Sequence, residues 1–591
     1  MSFSRQPPRR WVSALACVLV LLAEASPQAH ATETITVDAG LVDGIVPAIH
    51  GVTNGPVISN LPDEEPLCRN FSPADHSAAF VAAAIPQTRT HGGGELDMHQ
   101  IWRPFPNYAG QDPTKEANYD WTRANQALEQ IVAVGSIPYL RIGNSKNDRD
   151  GSVCDPSLVT NAPPDDPDIF GQVTLHILKH FLDGWDNGFY YDIPYLEIWN
   201  EFYIDEFWSG TGTEAAILYE AVRNATKPEF PNVMLGPSIN TPWTSNPVPS
   251  EFWTYIINNN VPVDFVSPHF YGPRPAKLAS RIYHAIPSAD DKSWENLFAI
   301  AGLPTDTPIV IAEWNRGSGC YNGGTGGTIP GGAFVAATLM TMAELHPANS
   351  GHNVIMSHLF STRFQIWKDD LTPRGPGVGL ESYARLVNET PHKLALTGTY
   401  ADTTSIDFHA IAGKSDDDSK LNLLVSYYDT SDTDCPDNTN LGTIVPLNVN
   451  INNLPWGNAE FTWERWMHTS NSALALVDSG TSSGGSFSTS QDMHANVLEL
   501  YLLAEHSCGN GMIGPGEICD DGSANGGYAS CCTKECTFKT DGPASCDANL
   551  CTTTDTCTAG VCTPGGCREG EACSVCGGAC SSAASGCACV Y

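Results

Sequence analysis

Residues 195–201, Tyr-Leu-Glu-Ile-Trp-Asn-Glu, and residues 309–315, Ile-Val-Ile-Ala-Glu-Trp-Asn, share one organisation. Each is a short apolar run that leads to an acidic side chain, Glu201 in the first and Glu313 in the second. In a (β/α)8 barrel, buried parallel strands carry catalytic side chains at their carboxyl ends. We therefore expect two barrel strands that deliver two carboxylates to one cavity.

Similar apolar runs alternate with amphipathic, helix-like segments between residues 45 and 390. Near-continuous apolar runs are typical of parallel strands buried on both faces, and their repeated alternation with helices favours a closed α/β barrel, the TIM barrel. An open doubly wound sheet is the alternative, but it would want a Gly-x-Gly-x-x-Gly turn after the first strand, and that turn is absent. The predicted barrel strands are residues 45–51, 87–91, 137–143, 193–201, 233–238, 263–271, 309–313 and 354–360.

The pattern changes after the barrel. Short segments with period-two alternation, separated by Gly, Asn, Asp or Ser, predict an accessory β-sandwich over residues 395–504. Residues 35–37 are a candidate strand of the same sandwich, and the Ser/Gly-rich residues 480–489 are predicted to be a loop. The predicted sandwich strands are residues 421–428, 444–451, 461–467, 473–477 and 497–503.

The cysteines are concentrated at the end of the chain. Of 20 cysteines, 15 lie between Cys508 and Cys589, which predicts a small disulfide-rich C-terminal module over residues 505–591. This segment resembles the cysteine-rich repeats of exported proteins of myxobacteria-like bacteria. Attachment to the cell surface is one function that we expect of it.

Residues 1–31 have the organisation of a secretory signal peptide, with arginines, an apolar run and an Ala-His-Ala cleavage site. This predicts a secreted or cell-surface protein whose catalytic domain covers residues 32–394. Membrane insertion is not expected, because no later apolar run approaches ~20 residues. The formal net charge of −36 disfavours binding to nucleic acid or to anionic membranes.

Two carboxylates that face one cavity are suited to cleaving a glycosidic bond. Cleavage with retention needs a general acid that later acts as a base, and a nucleophile, with carboxyl groups roughly 5–5.5 Å apart. Glu201 and Glu313 are the candidate pair. No cofactor is expected, because two carboxylates suffice, and no metal is expected, because His176 and His180 share a helical face without a third ligand in motif order.

Further motifs follow in a characteristic order. They are Gly-Val-Thr-Asn-Gly-Pro at 51–56, Thr-Arg-Thr-His-Gly at 88–92, Trp-Asn-Glu at 199–201, Asp-Phe-Val-Ser-Pro-His-Phe-Tyr-Gly at 264–272 and Ala-Glu-Trp-Asn at 312–315. In order and spacing the chain resembles the clan A glycoside hydrolases, and within them family 39, which includes β-xylosidases and α-L-iduronidases. The resemblance implies that Glu201 is the acid/base and Glu313 the nucleophile.

The residues around these motifs are candidates for binding substrate. Asn200 is suited to hold a sugar 2-hydroxyl, and Arg89 to keep Glu313 ionised, although Arg89 could instead be a structural ion-pair partner. The family usually has Pro after the acid/base, where this chain has Phe202, and the tryptophan common in the eighth strand is missing. Phe360 or Trp367 is then the candidate stacking platform. The predicted substrate-binding residues are Asn200, His269, Tyr271, Arg89, His91, Asn54 and Phe360.

The favoured function is a retaining, β-xylosidase-like hydrolase of plant or bacterial oligosaccharide or polysaccharide. Another clan A specificity (endo-glycanase, galactosidase, arabinosidase or uronidase) stays open. So does a glycan-binding surface protein without activity.

Overall fold

A computed structural model gives the fold of the chain. The predicted signal peptide and most of the predicted cysteine-rich module lie outside the residues that it describes. The described residues are 32–58, 74–91, 96–144, 161–205, 207–239, 250–271, 298, 302–316, 329–350, 353–362, 366–368, 370–398, 406–429, 444–468, 473–505, 519–520, 532–533, 537, 556–558, 561–563, 579–583 and 586–590.

Two large sheets, one closed and one open, contain most of the strands. In chain order the strands up to the last barrel strand are β1 (Glu33–Ile45), β2 (His50–Thr53), β3 (Val57–Ile58), β4 (Ala74–Asp75), β5 (Gln87–Arg89), β6 (Ile137–Ile142), β7 (Tyr195–Ile198), β8 (Met234–Ile239), β9 (Ser267–Tyr271), β10 (Ile309–Asn315) and β11 (Val354–Leu359). They are followed by β12 (His392–Gly398), β13 (Ile406–Lys414), β14 (Lys420–Asp429), β15 (Ile444–Asn452), β16 (Glu460–Met467), β17 (Ala475–Ser483), β18 (Ser486–His494) and β19 (Val497–Glu505).

The closed sheet is a parallel barrel of eight strands in the order β2-β5-β6-β7-β8-β9-β10-β11, and β11 returns to β2. All eight predicted strands are present. The first begins at His50 instead of residue 45, because Ile45 pairs with His392 in the other sheet and Pro47 has no N–H for a ladder. The fourth ends at Ile198 because Trp199 takes a left-handed φ of 66° and leaves the ladder.

Helices cover the outside of the barrel. The capping box of Thr211 and Glu214 begins one of them, and Asp166, whose side chain accepts from Ile169 N–H, begins another. The helices are α1 (Ser77–Ala82), α2 (Met98–Ile101), a 3-10 turn (Glu116–Asn118), α3 (Thr122–Ala133), α4 (Pro167–Asp183), α5 (Gly212–Thr226), α6 (Ser250–Asn258), α7 (Ile329–Glu344), α8 (Pro347–Ser350) and α9 (Gly375–Glu389). No helix in the described part of the chain is both long and apolar enough to cross a membrane.

The open sheet, called the second sheet below, has nine strands in the order β17-β16-β19-β14-β13-β12-β1-β15-β18. It includes the first described strand, as residues 35–37 predict, because β1 pairs with both β12 and β15. The predicted loop at 480–489 is wrong: β17 and β18 occupy most of it and only a short turn separates them. The strand β18 folds back over β16, since the rings of Phe487 and Trp463 lie 5.3 Å apart.

The second sheet packs against the barrel through helix α7. Ser426 Oγ of β14 donates to the carbonyl of Ala333 at 2.8 Å, and the rings of Tyr428 and Phe334 lie 5.6 Å apart. Phe334 in turn contacts Trp314, the neighbour of Glu313. The second sheet therefore supports the barrel strand that carries one of the two candidate carboxylates.

The predicted cysteine-rich segment is described only in part. Cys519 and Cys532 form a disulfide. Two short antiparallel pairs follow, β20 (Thr556–Thr558) with β21 (Val561–Thr563) and β22 (Ala579–Ala583) with β23 (Gly586–Val590). The other disulfides predicted for this segment remain a prediction.

Candidate active site

Glu201 lies just beyond the carboxyl end of β7, where the chain turns sharply. Trp199 and Glu201 have φ angles of 66° and 46°, and the Glu201 N–H donates to Ser238 Oγ at 3.0 Å on the next strand. Trp199 is buried against Gly143, where an added Cβ would lie 2.7 Å from the indole. The absence of a side chain at Gly143 therefore allows the turn that aims Glu201 across the barrel mouth.

Glu313 lies on β10 in register with His269 on β9. An oxygen of Glu201, an oxygen of Glu313 and a ring nitrogen of His269 all lie within 4.8 Å of one another. This places the two predicted catalytic glutamates together at the carboxyl ends of different strands. Two carboxylates this close together can act on the same bond of a substrate.

The Glu313 carboxylate is hydrogen-bonded at both oxygens. Arg89 Nη1 donates to Oε1 at 2.8 Å, and the hydroxyl of Tyr271 donates to Oε2 at 2.7 Å. His91 Nε2 lies 3.5 Å from Oε1. A carboxylate that accepts from a guanidinium at one oxygen and from a hydroxyl at the other is fixed in orientation.

Glu201 is held differently. Its Oε1 lies 2.7 Å from His269 Nδ1 and accepts from the Tyr203 hydroxyl at 3.1 Å. Burial, followed by the charge of Glu201, raises the pKa of Tyr203 well above its usual value, so this hydroxyl remains a donor. In the described residues the side-chain hydrogen bonds to Glu201 all fall on Oε1, which makes Oε2 the oxygen suited to carry a proton to substrate.

His269 lies between the two carboxylates, with Nδ1 also 3.4 Å from Glu313 Oε2. Burial alone would lower the pKa of His269, but the nearby Glu313 and Glu201 outweigh it, and the pKa is raised. The ring therefore lies between two glutamates that favour its protonated form, which distinguishes it from an ordinary core histidine.

Arg89 is fully buried on β5 and contacts three side chains. Besides Glu313, its Nε donates to Glu197 Oε2 at 2.7 Å and its Nη2 donates to Asn200 Oδ1 at 3.1 Å. Arg89 thus contacts Glu313 and also has a buried ion-pair partner, Glu197, while its role in keeping Glu313 ionised stays a prediction. Because the oxygen of Asn200 faces Arg89, its NH₂ group remains as the donor for a sugar hydroxyl.

Two of these contacts come from residues that sequence reasoning missed. Glu197 is fully buried and also accepts from Ser267 Oγ at 2.8 Å. An acidic residue inside a run of buried apolar residues was the available signal for it. Tyr203 follows the strand in an irregular turn and had no periodic signal.

The other predicted substrate-binding residues surround this centre. Asn54 Oδ1 accepts from the His91 N–H at 3.1 Å, so Asn54 fixes the backbone beside Glu313. The Phe360 ring meets His91 at 5.6 Å and Tyr271 at 6.3 Å, both nearly edge-on. The other candidate platform, Trp367, is buried against Phe80. Phe360 therefore lies beside His91 and Tyr271, the neighbours of Glu313, and its stacking role stays a prediction.

In the described part of the chain, Glu201, His269 and Glu313 form the one group of three or more side chains spaced to hold a metal ion. Arg89 and Tyr271 already donate to Glu313 and would compete with a cation. His176 and His180 contribute to packing instead: His176 Nδ1 bonds the carbonyl of Gln172, and both nitrogens of His180 are hydrogen-bonded.

Comparison with known proteins identifies a family match in the barrel. The model of "Glycosyl hydrolases family 39" matches residues 87–364, which span β5 to β11 and include Glu201, Glu313 and the side chains that hydrogen-bond to them. No curated protein that was searched matches the sequence.

Several solved structures share the fold. A glucosidase from Croceicoccus marinus is 19% identical, with a TM-score of 0.61, over 81% of this chain and 100% of its own. A monomeric beta-xylosidase from Caulobacter crescentus CB15 is 14% identical, with a TM-score of 0.56, over 80% of this chain and 100% of its own. A GH39 enzyme from Xanthomonas axonopodis pv. citri is 15% identical, with a TM-score of 0.55, over 82% and 100%.

These structural likenesses establish the fold, a (β/α)8 barrel with a second sheet. The family match places its catalytic region among glycoside hydrolases. On the family match the chain is a glycoside hydrolase, an enzyme class whose substrates are carbohydrates.

Proposed function

We propose that the chain is a retaining glycosidase with β-xylosidase-like specificity, which cleaves oligosaccharides or polysaccharides by double displacement. The observation that carries the proposal is the unequal hydrogen bonding of two adjacent carboxylates. Glu313 accepts donors on both oxygens, whereas the side-chain donors to Glu201 in the described residues fall on Oε1. The first arrangement suits a nucleophile and the second suits a proton donor.

In the first step, Glu201 gives its proton to the glycosidic oxygen while Glu313 attacks the anomeric carbon. The bond from that carbon to the leaving oxygen breaks, and an ester forms between Glu313 and the sugar. Arg89 and Tyr271 hold the attacking carboxylate in place, which reduces the entropy cost of the attack.

In the second step, the ionised Glu201 takes a proton from water, and the oxygen of that water attacks the same carbon. The ester breaks, Glu313 leaves as a carboxylate, and Glu201 is protonated again. His269, whose pKa the two glutamates raise, lies 2.7 Å from Glu201 Oε1 and favours negative charge there while that carboxylate acts as a base. The Asn200 amide holds the sugar 2-hydroxyl, a contact that strengthens in the transition state.

The proposed glycone is a neutral sugar. Two of the similar structures are a glucosidase and a beta-xylosidase. The Phe360 ring offers an apolar surface beside His91 and Tyr271 for the sugar ring.

The proposal is tested with aryl glycosides, namely β-xyloside, β-glucoside, β-galactoside, α-L-arabinoside and iduronide, using Glu313→Ala as the control. Release from a β-glycoside by the wild type, and none by the variant, is the expected result. Proton NMR of the first product should show the β-anomer. Release of the opposite anomer would overturn retention, and folded protein without activity on aryl glycosides or polysaccharides would favour a glycan-binding role.

Export and surface attachment belong to the same proposal. Cleavage after residue 31 would release a mature enzyme, and residues 505–591 would attach it to the cell surface. N-terminal sequencing of the exported protein, and cell fractionation with and without residues 505–591, test the two parts separately.

A further inference from the structure

Glu197 is a fully buried carboxylate four residues before Glu201, and the mechanism above does not use it. Its Oε2 accepts from Arg89 Nε at 2.7 Å, and its Oε1 accepts from Ser267 Oγ at 2.8 Å. Its side chain is closed to solvent, so it cannot meet a sugar directly. Of its two hydrogen-bond partners, Arg89 is the one that also contacts Glu313.

We propose that Glu197 is a positioning residue, which directs the Arg89 guanidinium toward the nucleophile and moderates its charge. The proposal rests on the hydrolytic function proposed above. Glu197 acts on Arg89 in two ways, through the geometry of the guanidinium and through its charge.

The geometric effect follows from the shape of the guanidinium, a planar group with donors in a fixed fork. Glu197 engages Nε, which leaves Nη1 for Glu313 at 2.8 Å and Nη2 for Asn200 at 3.1 Å. One contact thus sets the direction of two others. The nucleophile and the amide proposed to hold the 2-hydroxyl are aligned by the same ion pair.

The electrostatic effect arises because two buried carboxylates share one guanidinium. Arg89 has one positive charge and two buried carboxylate partners, Glu197 and Glu313. Burial alone would lower the pKa of Arg89, but Glu197, and after it Glu313, raise it above its usual value. Glu197 neutralises much of the positive charge of the Arg89 guanidinium. Arg89 therefore attracts the negative charge of Glu313 less strongly, and Glu313 remains nucleophilic enough to attack the anomeric carbon.

Glu197→Gln is the decisive variant, because glutamine keeps the length and the acceptor oxygen and removes the charge. In the variant, Arg89 acts on Glu313 alone and holds its negative charge more tightly. We expect kcat/KM to fall by roughly tenfold to a hundredfold. We also expect the acidic limb of the pH profile to move to lower pH by roughly one unit.

The matched control is Glu499→Gln in the second sheet. Glu499 is equally buried and also pairs with an arginine, Arg465, at 3.2 Å. If the substitutions only destabilise the fold, both variants should lose activity without a shift of the pH profile. A pH profile that moves in Glu197→Gln and stays in place in Glu499→Gln supports the proposal. An unchanged profile in folded Glu197→Gln overturns it.

A second readout does not need turnover. The titration of His269, followed by NMR with labelled histidine and assigned with His269→Asn, should move to lower pH when Glu197 loses its charge. If no glycoside is cleaved by the wild type, the hydrolytic function fails, while this titration still decides whether Glu197 sets the charge at the site. An unmoved titration overturns the proposal.

Glu197→Asp covers the case in which Glu197→Gln does not fold. Aspartate keeps the charge, but its carboxylate is one methylene further from Arg89. The Arg89 guanidinium should then no longer be aligned with Glu313 and Asn200. We expect lower kcat/KM with the acidic limb in its wild-type place. Full activity in this variant would overturn the proposal.

Discussion

Two regions of the molecule bury a glutamate against an arginine and a tyrosine, one at the carboxyl ends of the barrel strands and one in the second sheet. The barrel cluster consists of Glu201, Glu313, Glu197, Arg89 and His269, with Tyr271 and Tyr203 as donors. The sheet cluster consists of Glu499, Arg465, Tyr501 and Gln491 inside the second sheet.

The two clusters differ in the balance of their charges and in which carboxylate oxygens accept hydrogen bonds. In the sheet cluster one carboxylate meets one guanidinium, and donors reach both of its oxygens. In the barrel cluster three carboxylates share one guanidinium and one imidazole, and the side-chain donors to Glu201 in the described residues meet Oε1 only. Burying an ion pair is therefore not enough to make an active site. An excess of carboxylates at the ends of parallel strands supplies the group that must gain and lose a proton.

The largest expected effect separates the two catalytic carboxylates. In Glu201→Ala, hydrolysis of glycosides with poor leaving groups should fall by about 10²–10⁴, because those leaving groups need a proton. Aryl glycosides with good leaving groups should lose far less in the first step. Steady-state kinetics on matched pairs of substrates measures the contrast.

Glu201→Gln is the control, since it keeps the size of the side chain. Equal losses on both kinds of substrate would contradict the assignment of Glu201 as the acid, and with it the distinction drawn between its two oxygens.

The next effect concerns His269, the histidine between the two carboxylates. His269→Gln should lower kcat/KM by roughly tenfold to a hundredfold, because it removes a donor from Glu201. The folded pKa of His269 is raised above the ordinary value of 6.5. The stabilisation from its charge is therefore complete below about pH 6.5 and is lost as the pH rises through the folded pKa.

Thermal unfolding from pH 5 to 9 checks the sign of this effect. The difference in Tm between wild type and His269→Gln should be largest at low pH and shrink as the pH rises. A constant difference across this range would show that the ring is not charged in the folded protein.

These clusters also show which parts of the site can be predicted from the sequence. That Glu201 and Glu313 lie together could be predicted, because each follows an apolar run whose period and length indicate a buried strand. For Glu197 the sequence offers a signal of burial, but its contact with Arg89 could not be predicted, because Arg89 lies 108 positions earlier in the chain and only the fold of the barrel brings them together. Strand β18 was missed because its outward side chains are mostly Ser and other polar residues, which also form loops.

The sheet cluster should respond in stability and not in activity. Burial raises the pKa of Glu499 above its ordinary value, more than Tyr501 and Arg465 lower it. The folded state then binds more protons than the unfolded state, so the free energy of unfolding falls as the pH rises from 4.5 through the folded pKa. Glu499→Gln should remove that pH dependence and cost about 1–3 kcal/mol by weakening the bonds to Arg465 and Tyr501.

Chemical denaturation at pH 4 and pH 7 measures this change, with kcat/KM as the parallel readout. A large loss of kcat/KM in folded Glu499→Gln would contradict the distinction between the two clusters, because it would show that the sheet cluster affects catalysis.

The smallest expected effect concerns an uncharged neighbour of the barrel cluster. Phe360→Ala removes the ring that lies edge-on to His91 and Tyr271 and leaves every carboxylate contact in place. An aromatic contact of this kind contributes about 0.5–1.5 kcal/mol, so KM should rise by roughly two- to tenfold while kcat changes less. The shape of the pH profile should stay as in the wild type, because no titrating group is altered. A moved profile would mean that Phe360 maintains the charge balance around Glu313 through His91 and Tyr271. Phe360→Tyr keeps the ring, and it should restore KM if stacking against the sugar is the role of this side chain.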